Sequence, residues 1–129
     1  MTSGYSGKSL ESKLGVKRGL VVYVDKGPAD LDLGGASYTT RLPPSADVVL
    51  LFCADQRRLT ERLGTVLART SRDGMVWVCW PKKASGVVTD LTEALVRETG
   101  LAAGVVDVKV AAIDETWSGL KFVRRLRDR

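Results

Sequence analysis

Two short polar segments contain the residues that could do chemistry in this chain. The segment "WPKKASG" at 80–86 places two lysines and a flexible stretch directly after an apolar run. The segment "DETWSG" at 114–119 adds two carboxylates, a tryptophan and a hydroxyl. Lysine ammonium groups donate to phosphate and carboxylate oxygens, and an indole ring stacks on flat ligands. These residue types are those of a site for a small anion.

The two segments form one site only if the fold brings them to the same place. In an open parallel sheet, ligands bind beyond the carboxyl ends of the strands, and both segments follow predicted strands. The predicted ligand-binding residues are Lys82, Lys83, Ser85, Asp114, Glu115, Trp117 and Ser118. We predict no catalytic residue, but Asp114 or Glu115 is the candidate acid or base if the chain is an enzyme.

A structural role for the same segments is the competing interpretation. Asp90 and Glu93 form a D-x-x-E pair that is predicted to cap a helix, and a carboxylate there satisfies the free amides and repels an anion. The two lysines would then form surface ion pairs with the carboxylates of 114–119, and Trp117 would cover the sheet edge. The sequence leaves both interpretations open.

Composition excludes several kinds of active site. The 129 residues contain no histidine, so we predict no metal site and no catalytic triad that depends on imidazole. Cys53 and Cys79 lie in apolar runs and are predicted to be buried, reduced thiols. The "GKS" at 7–9 is not a phosphate-binding loop, because Thr2 stands where that motif requires glycine.

The chain is basic, with 20 lysines and arginines, 15 acidic residues and a net charge of +5. Such a charge permits binding to nucleic acid or to an acidic partner. The basic residues are scattered, apart from 82–83 and "RRLRDR" at 124–129, so we expect no nucleic-acid partner. The arginines at 57, 58, 62 and 69 are predicted to face outward, with Arg57 pairing with Glu61.

Apolar runs and helix caps predict the elements that position these segments. Strands are predicted at 20–24, 37–42, 47–53, 75–80, 105–113 and 120–126, with a turn at 73–74 and helices at 9–14, 55–70 and 90–100. The order predicts a small Rossmann-like α/β fold with a mostly parallel sheet and a C-terminal antiparallel hairpin. We expect one domain over residues 1–129, with a flexible lead at 1–8.

Six segments carry a resemblance to a known family. They are "GYSG" at 4–7, "KLG" at 13–15, "ADVVLLF" at 46–52, "WPKKASG" at 80–86, "TDLTE" at 89–93 and "GLAAGVVDVKVAAIDETWSGLKFVRR" at 100–125. They resemble the domain of unknown function 3052, a family of small bacterial proteins of actinobacterial type. From Asp47 onward the order of elements is also similar to the second half of a class I methyltransferase. The resemblance implies a methyltransferase-like fold and transfers no activity or ligand.

A methyltransferase-like fold implies S-adenosylmethionine, but two features of the sequence argue against this cofactor. Nucleoside cofactors need a close backbone approach after the first strand, which a G-x-G pattern provides. The segment "VDKGPAD" at 24–30 has Gly27 alone, and Pro28 lacks an amide hydrogen. Residues 39–41, "TTR", stand where a ribose-binding carboxylate is expected. We therefore predict no cofactor.

The sequence thus predicts a non-catalytic binding or regulatory module with a small anionic ligand or a protein partner at the sheet edge. An unusual methyltransferase-like enzyme and a weak nucleic-acid binder that uses surface arginines are the alternatives. No apolar run approaches the roughly 20 residues of a membrane span. The first 15 residues lack the apolar core of a secretory signal, so we expect a cytoplasmic protein without a membrane partner.

Overall fold

Five strands form one mixed sheet within residues 9–129, the part of the chain that the computed structural model describes. The strands are β1 (Val22–Asp25), β2 (Ala46–Phe52), β3 (Thr70–Pro81), β4 (Val105–Ala112) and β5 (Trp117–Arg124). The helices are α1 (Leu10–Leu14), α2 (Gln56–Ala68) and α3 (Glu93–Ala102), with short 3-10 turns at Lys83–Ser85 and Leu126–Asp128. None of these helices is both long and apolar enough to cross a lipid bilayer. The lead predicted at 1–8 lies outside the described residues.

The strand order in the sheet is β1-β2-β3-β5-β4. β1, β2 and β3 are parallel, whereas β5 runs antiparallel to both of its neighbours, β3 and β4. The reversed β5 therefore leaves β4 running in the same direction as the first three strands. The predicted α/β class, the largely parallel sheet and the terminal hairpin are confirmed.

The carboxyl ends of β1, β2, β3 and β4 lie along one edge of the sheet, which we call the carboxyl edge. In the register, Phe52 of β2 lies beside Cys79 of β3, and Pro81 lies beside Trp117 of β5. The turn at 113–116, between β4 and β5, therefore reaches the same edge as the segments that follow the parallel strands. The two segments singled out in the sequence do meet there.

The two longer helices pack on the same face of the sheet. Both crossovers, β2-α2-β3 and β3-α3-β4, proceed in the same direction across the sheet, so right-handed connections place both helices on one side. Leu59, Leu63 and Val66 of α2 and Val96 of α3 join a single buried cluster there. α1 and residues 31–36 cover the other face above β1, β2 and β3.

The strands differ from the prediction in four places, one of which is that β5, predicted at 120–126, spans Trp117–Arg124. β1 begins at Val22 rather than at residue 20, because the Val21 amide donates to the Asp47 carboxylate at 2.8 Å instead of extending the strand. The edge strand predicted at 37–42 is reduced to a single bridge between Thr39 and Tyr23. The turn predicted at 73–74 lies inside β3, where the extra residues form a bulge against β2.

The start of α3 also differs from the prediction. The N-cap is Thr92, whose hydroxyl accepts a hydrogen bond from the Leu95 amide at 3.1 Å. The prediction that Asp90 caps this helix is wrong, because Asp90 Oδ1 accepts from the Gln56 amide at 2.8 Å and so caps α2. The first turn of α3 consequently has a neutral hydroxyl cap.

α3 does not end at Gly100 but continues to Ala102. Gly104, with a φ of 95°, follows the C-cap residue Ala103. Gly100 is glycine because it lies buried against the Phe122 ring of β5, where an added Cβ would overlap the ring. Glycine at position 100 lets α3 lie directly on the sheet. The sequence pattern indicated only that a helix ends there and did not reveal this role.

Replacing Gly100 with alanine tests this close packing. Alanine favours a helix interior over glycine by about 1 kcal/mol, but here the overlap with Phe122 should reverse the sign and cost about 1–3 kcal/mol. Gly64→Ala in α2 is the control, because an added Cβ there meets nothing within 4 Å and should stabilise the fold by about 0.5–1 kcal/mol. Urea unfolding measures both changes, and equal shifts of the two midpoints would contradict the packing argument.

Candidate functional site

Asp25, the last residue of β1, is a buried carboxylate on the carboxyl edge, with 7% of its surface exposed. Arg58 Nη2 donates to its Oδ1 at 2.5 Å and Arg62 Nε donates to its Oδ2 at 2.7 Å. The prediction that these two arginines face outward is wrong, because a buried carboxylate needs paired partners. Arg57 does pair with Glu61, at 3.7 Å on the exposed face, as predicted.

Further donors of the two inward arginines are used within the same cluster. Arg58 Nε donates to the Phe52 carbonyl at 3.1 Å, and Arg62 Nη2 donates to the Tyr23 hydroxyl at 2.7 Å. Burial raises the pKa of Tyr23, and the nearby carboxylate adds to the rise. Burial, the largest single effect, lowers the pKa of Arg62, but the hydrogen bond and charge of Asp25 together with Tyr23 leave that pKa raised. The Tyr23 hydroxyl and the Arg62 guanidinium therefore keep their protons at neutral pH, as the members of a structural ion cluster do.

The loop after β1 is packed by side chains of the chain itself. Lys26 takes a left-handed conformation with a φ of 59° and turns the backbone sharply. A Cβ added to Gly27 would lie 2.6 Å from Val24 Cγ1, and Phe52 and Leu31 also lie within 4 Å of that position. The glycine therefore fits beneath its neighbours and does not open space for a ligand.

Trp117 covers the same part of the carboxyl edge. It is the first residue of β5, and its ring meets the Phe52 ring edge-on, with centroids 5.1 Å apart and planes at 85°. Asp114 Oδ1 closes the turn before it by accepting from the amides of Thr116 and Trp117, at 2.8 and 2.7 Å. Both residues thus have structural roles here.

The predicted ion pairs between the lysines and the carboxylates at 114 and 115 do not form among the described residues. Lys82 Nζ instead donates to the main-chain oxygen of Asp114 at 2.6 Å, and the Lys82 amide donates to the Thr116 carbonyl at 2.7 Å. The carboxylate of Asp114 is occupied by the amides of its own turn, and Glu115 is exposed at the tip. Lys82 is therefore fixed by a neutral partner and keeps its charge available.

A cleft of about 400 Å³ opens on the carboxyl edge between the end of β3 and the start of α3. Its lining consists of Trp80, Pro81, Lys82, Lys83, Thr89, Asp90, Leu91, Thr92, Glu93 and Ser118. Lys82, Lys83 and Ser118 are the predicted site residues that line it. The other four, Ser85, Asp114, Glu115 and Trp117, lie outside the lining. The sequence argument thus pointed to the edge at which this cleft opens, but it did not identify the segment 89–93 as one of the walls.

The carboxylates in the cleft are engaged outside it, whereas the lysines are not neutralised. Asp90 accepts from the α2 amide described above, and Glu93 Oε2 accepts from Arg97 Nη2 at 2.7 Å. The Lys83 side chain forms no hydrogen bond or ion pair with any residue of the described range 9–129. The cleft therefore combines basic groups with an apolar floor formed by Trp80, Pro81 and Leu91.

Ser85 shapes the loop beside the cleft. Its hydroxyl donates to the Lys82 carbonyl at 2.7 Å and accepts from the Val87 amide at 3.2 Å. Gly86 follows with a φ of 78°, and the chain then exposes 93% of Val88 at the tip of the loop. Ser85 thus sets the path of the backbone that holds both lysines.

The two cysteines are buried and unpaired, as predicted. Burial raises the pKa of the Cys53 thiol to about 12 and that of Cys79 well above its ordinary value. A nucleophilic cysteine must be a thiolate near neutral pH. Neither thiol meets that condition.

Replacing Asp25 with asparagine tests whether the ion cluster fastens α2 to the sheet. Two partly buried guanidinium groups would lose their counter-charge, at a cost of about 2–4 kcal/mol. The control Glu61→Gln breaks the exposed pair with Arg57 and should cost about 0.5 kcal/mol or less. Urea unfolding separates the two outcomes, and a loss for Asp25→Asn as small as that of the control would refute the role of the cluster.

Solved structures with similar folds include methyltransferases of low sequence identity. Magnesium protoporphyrin IX methyltransferase (ChlM) from Synechocystis PCC 6803 with bound SAM matches with a TM-score of 0.61 and 12% identity, over 90% of this chain and 74% of that chain. The ribosomal protein L11 methylase from Lactobacillus delbrueckii subsp. bulgaricus matches with a TM-score of 0.58 and 11% identity, over 90% and 75%. At such identities the likeness establishes a methyltransferase-like fold.

TnmH gives a further match, with a TM-score of 0.50 and 15% identity, over 65% of this chain and 32% of that chain. The chain therefore spans about a third of that protein's length. The likeness to TnmH again concerns the fold alone.

No curated protein matches the sequence. The family described as "Protein of unknown function (DUF3052)" matches residues 40–126, which include β2, α2, β3, α3, β4 and β5. The match contains the cleft and both polar segments from which the sequence argument began. The chain belongs to the DUF3052 family of proteins of unknown function.

Proposed function

We propose that this protein is a non-catalytic binding module that holds a small anionic ligand in the cleft between β3 and α3. The observation that carries the proposal is the lining of that cleft. Lys82 and Lys83 stand beside an apolar floor, and the carboxylates nearby are bonded to groups outside the cleft. A concave apolar surface with a few convergent polar groups is the usual form of a small-molecule site.

The lining favours a ligand with two chemically different parts. A carboxylate or phosphate would lie beside the lysines and near the first amides of α3, whose cap is the neutral Thr92 hydroxyl and whose first-turn carboxylate, Glu93, is paired with Arg97. A flat or acyl portion would lie on Trp80 and Leu91, and the Ser118 hydroxyl offers a further hydrogen bond. An aromatic or acyl acid has this combination of groups.

S-adenosylmethionine, the cofactor that the fold implies, does not fit the residues after β1. Gly27 stands alone without the G-x-G pattern that lets a nucleoside approach the backbone closely, and Pro28 after it has no amide hydrogen to donate. Asp25 is held by two arginines and cannot serve as a free acceptor. The proposal therefore places the ligand at the β3 side of the carboxyl edge, where space exists, and assigns no cofactor.

The groups nearest the cleft also favour binding over catalysis. The Asp114 carboxylate is occupied by the amides of its own turn, and both thiols remain protonated at neutral pH. Two free thiols agree with a reducing compartment, so the proposal includes the cytoplasm.

A thermal-shift series with defined acids tests the proposal. Phenyl phosphate and benzoate should raise Tm in a concentration-dependent manner, and phenyl phosphate should bind more tightly than inorganic phosphate, because its ring adds apolar contact with Trp80. Lys83→Gln should weaken phenyl phosphate binding about tenfold, since a charge-assisted hydrogen bond contributes about 1.5–3 kcal/mol. S-adenosylmethionine should leave Tm unchanged.

The matched control is Lys17→Gln, which removes the same charge at the amino end of β1, away from the carboxyl edge. It should leave phenyl phosphate binding unchanged. The proposal fails if none of the acids shifts Tm, or if both lysine variants weaken binding equally. A Tm rise with S-adenosylmethionine would instead support the enzyme alternative.

A further inference from the structure

Within residues 9–129, the half of the sheet formed by β4 and β5 is covered on one face and only in part on the other. α3 packs against β4 and β5 on the face that also carries α2. On the opposite face, the cluster under α1 and its neighbouring loop takes in Ala111 and Ile113, and α1 reaches Lys109 through the Lys13 carbonyl, but Val106 and Val123 join neither buried cluster. A sheet of this class is normally covered on both faces.

Four side chains define this uncovered area, which we call the lysine face: Val106, Lys109, Lys121 and Val123. The register pairs Val106 with Val123 and Lys109 with Lys121, so the four residues form two adjacent cross-strand pairs. Neither valine joins a buried core cluster of the described residues. The apolar pair therefore remains half-buried beside solvent.

The lysine pair is unfavourable in the isolated chain. Directly opposed like charges on neighbouring strands destabilise a sheet, by up to about 1 kcal/mol. Neither Lys109 nor Lys121 forms an ion pair with a residue in 9–129, and Lys109 Nζ reaches only the Lys13 carbonyl, at 3.4 Å. A carboxylate opposite either lysine would relieve this repulsion. The positive charge of the pair is therefore available to an acidic partner.

We infer that the lysine face binds an acidic amphipathic helix of another protein, which completes the missing layer of the sheet. The apolar side of such a helix would bury Val106 and Val123, and its glutamates or aspartates would neutralise the two lysines. Electrostatic complementarity of this kind gives specificity and speeds association. The inference is independent of the cleft, which opens on the other face of the sheet beside α3.

Charge argues against three other occupants. A second copy of this chain would place lysines against lysines. Residues 1–8, "MTSGYSGK", contain a lysine and no acidic residue, so they do not complement this face. Nucleic acid would leave the valine pair without an apolar partner, and the face has no aromatic ring on which a base would stack.

The test uses Lys121→Glu, which replaces the repulsion with attraction to Lys109. This variant should raise Tm by about 1–3 °C and at the same time weaken binding of a partner helix. The probe is a fluorescein-labelled amphipathic helical peptide with leucines on one side and glutamates along its borders, and fluorescence anisotropy at low salt measures binding. We expect a loss of about tenfold or more in affinity for Lys121→Glu. Lys17→Glu, the same change at the amino end of β1 and away from both the lysine face and the cleft, should bind the peptide as the original chain does.

Each alternative has its own result. No binding of the acidic peptide by the original chain, or an equal loss with Lys17→Glu, overturns the inference. Equal binding of the same peptide with glutamine in place of glutamate also overturns it. Single-stranded DNA that competes as strongly as the peptide would assign the face to nucleic acid. A dimer in sedimentation that Lys121→Glu dissociates would assign the face to a second copy.

Discussion

The buried ion pairs of Asp25 with Arg58 and Arg62 determine how the carboxyl edge is built. A carboxylate with 7% exposure is tolerated only when its charge and its acceptor sites are matched, so the early part of α2 is drawn against the end of β1. That position brings the Gln56 amide to Asp90, which anchors the segment before α3. The ion pairs of Asp25 beside β1 thus help to position the segment 89–93, which forms a wall of the cleft beside β3.

The same constraint divides the edge into a closed half and an open half. Beside β1 and β2, the two arginines, the half-buried Gly27 and the Phe52–Trp117 contact fill the space. Beside β3, the chain leaves a cleft because α3 begins only at Glu93, with Thr92 as its cap. The open cleft of this methyltransferase-like sheet therefore lies beside β3, away from the loop after β1.

The fold was largely predictable from the sequence because continuous apolar runs mark strands that are covered on both faces. The sequence also predicted the common edge, since strand ends follow directly from the α/β order. The cap of α3 was not predictable, because Asp90 satisfies the local pattern for a cap but bonds to a helix distant in sequence. The role of Gly100 depends on Phe122, which no local pattern connects to it. An acidic residue at the end of a buried strand, together with arginines four apart on a helix, was the available signal for the ion cluster.

The central claim is that the ligand site lies between β3 and α3 and that the loop after β1 is closed. A two-dimensional NMR titration of the labelled protein with phenyl phosphate tests this claim most directly. The account predicts that the amides of Lys82, Thr92 and Glu93 and the indole of Trp80 shift together and saturate, while the amides of Lys26 and Gly27 remain unmoved. Saturating shifts confined to Lys26 and Gly27, or none at the cleft, would contradict it.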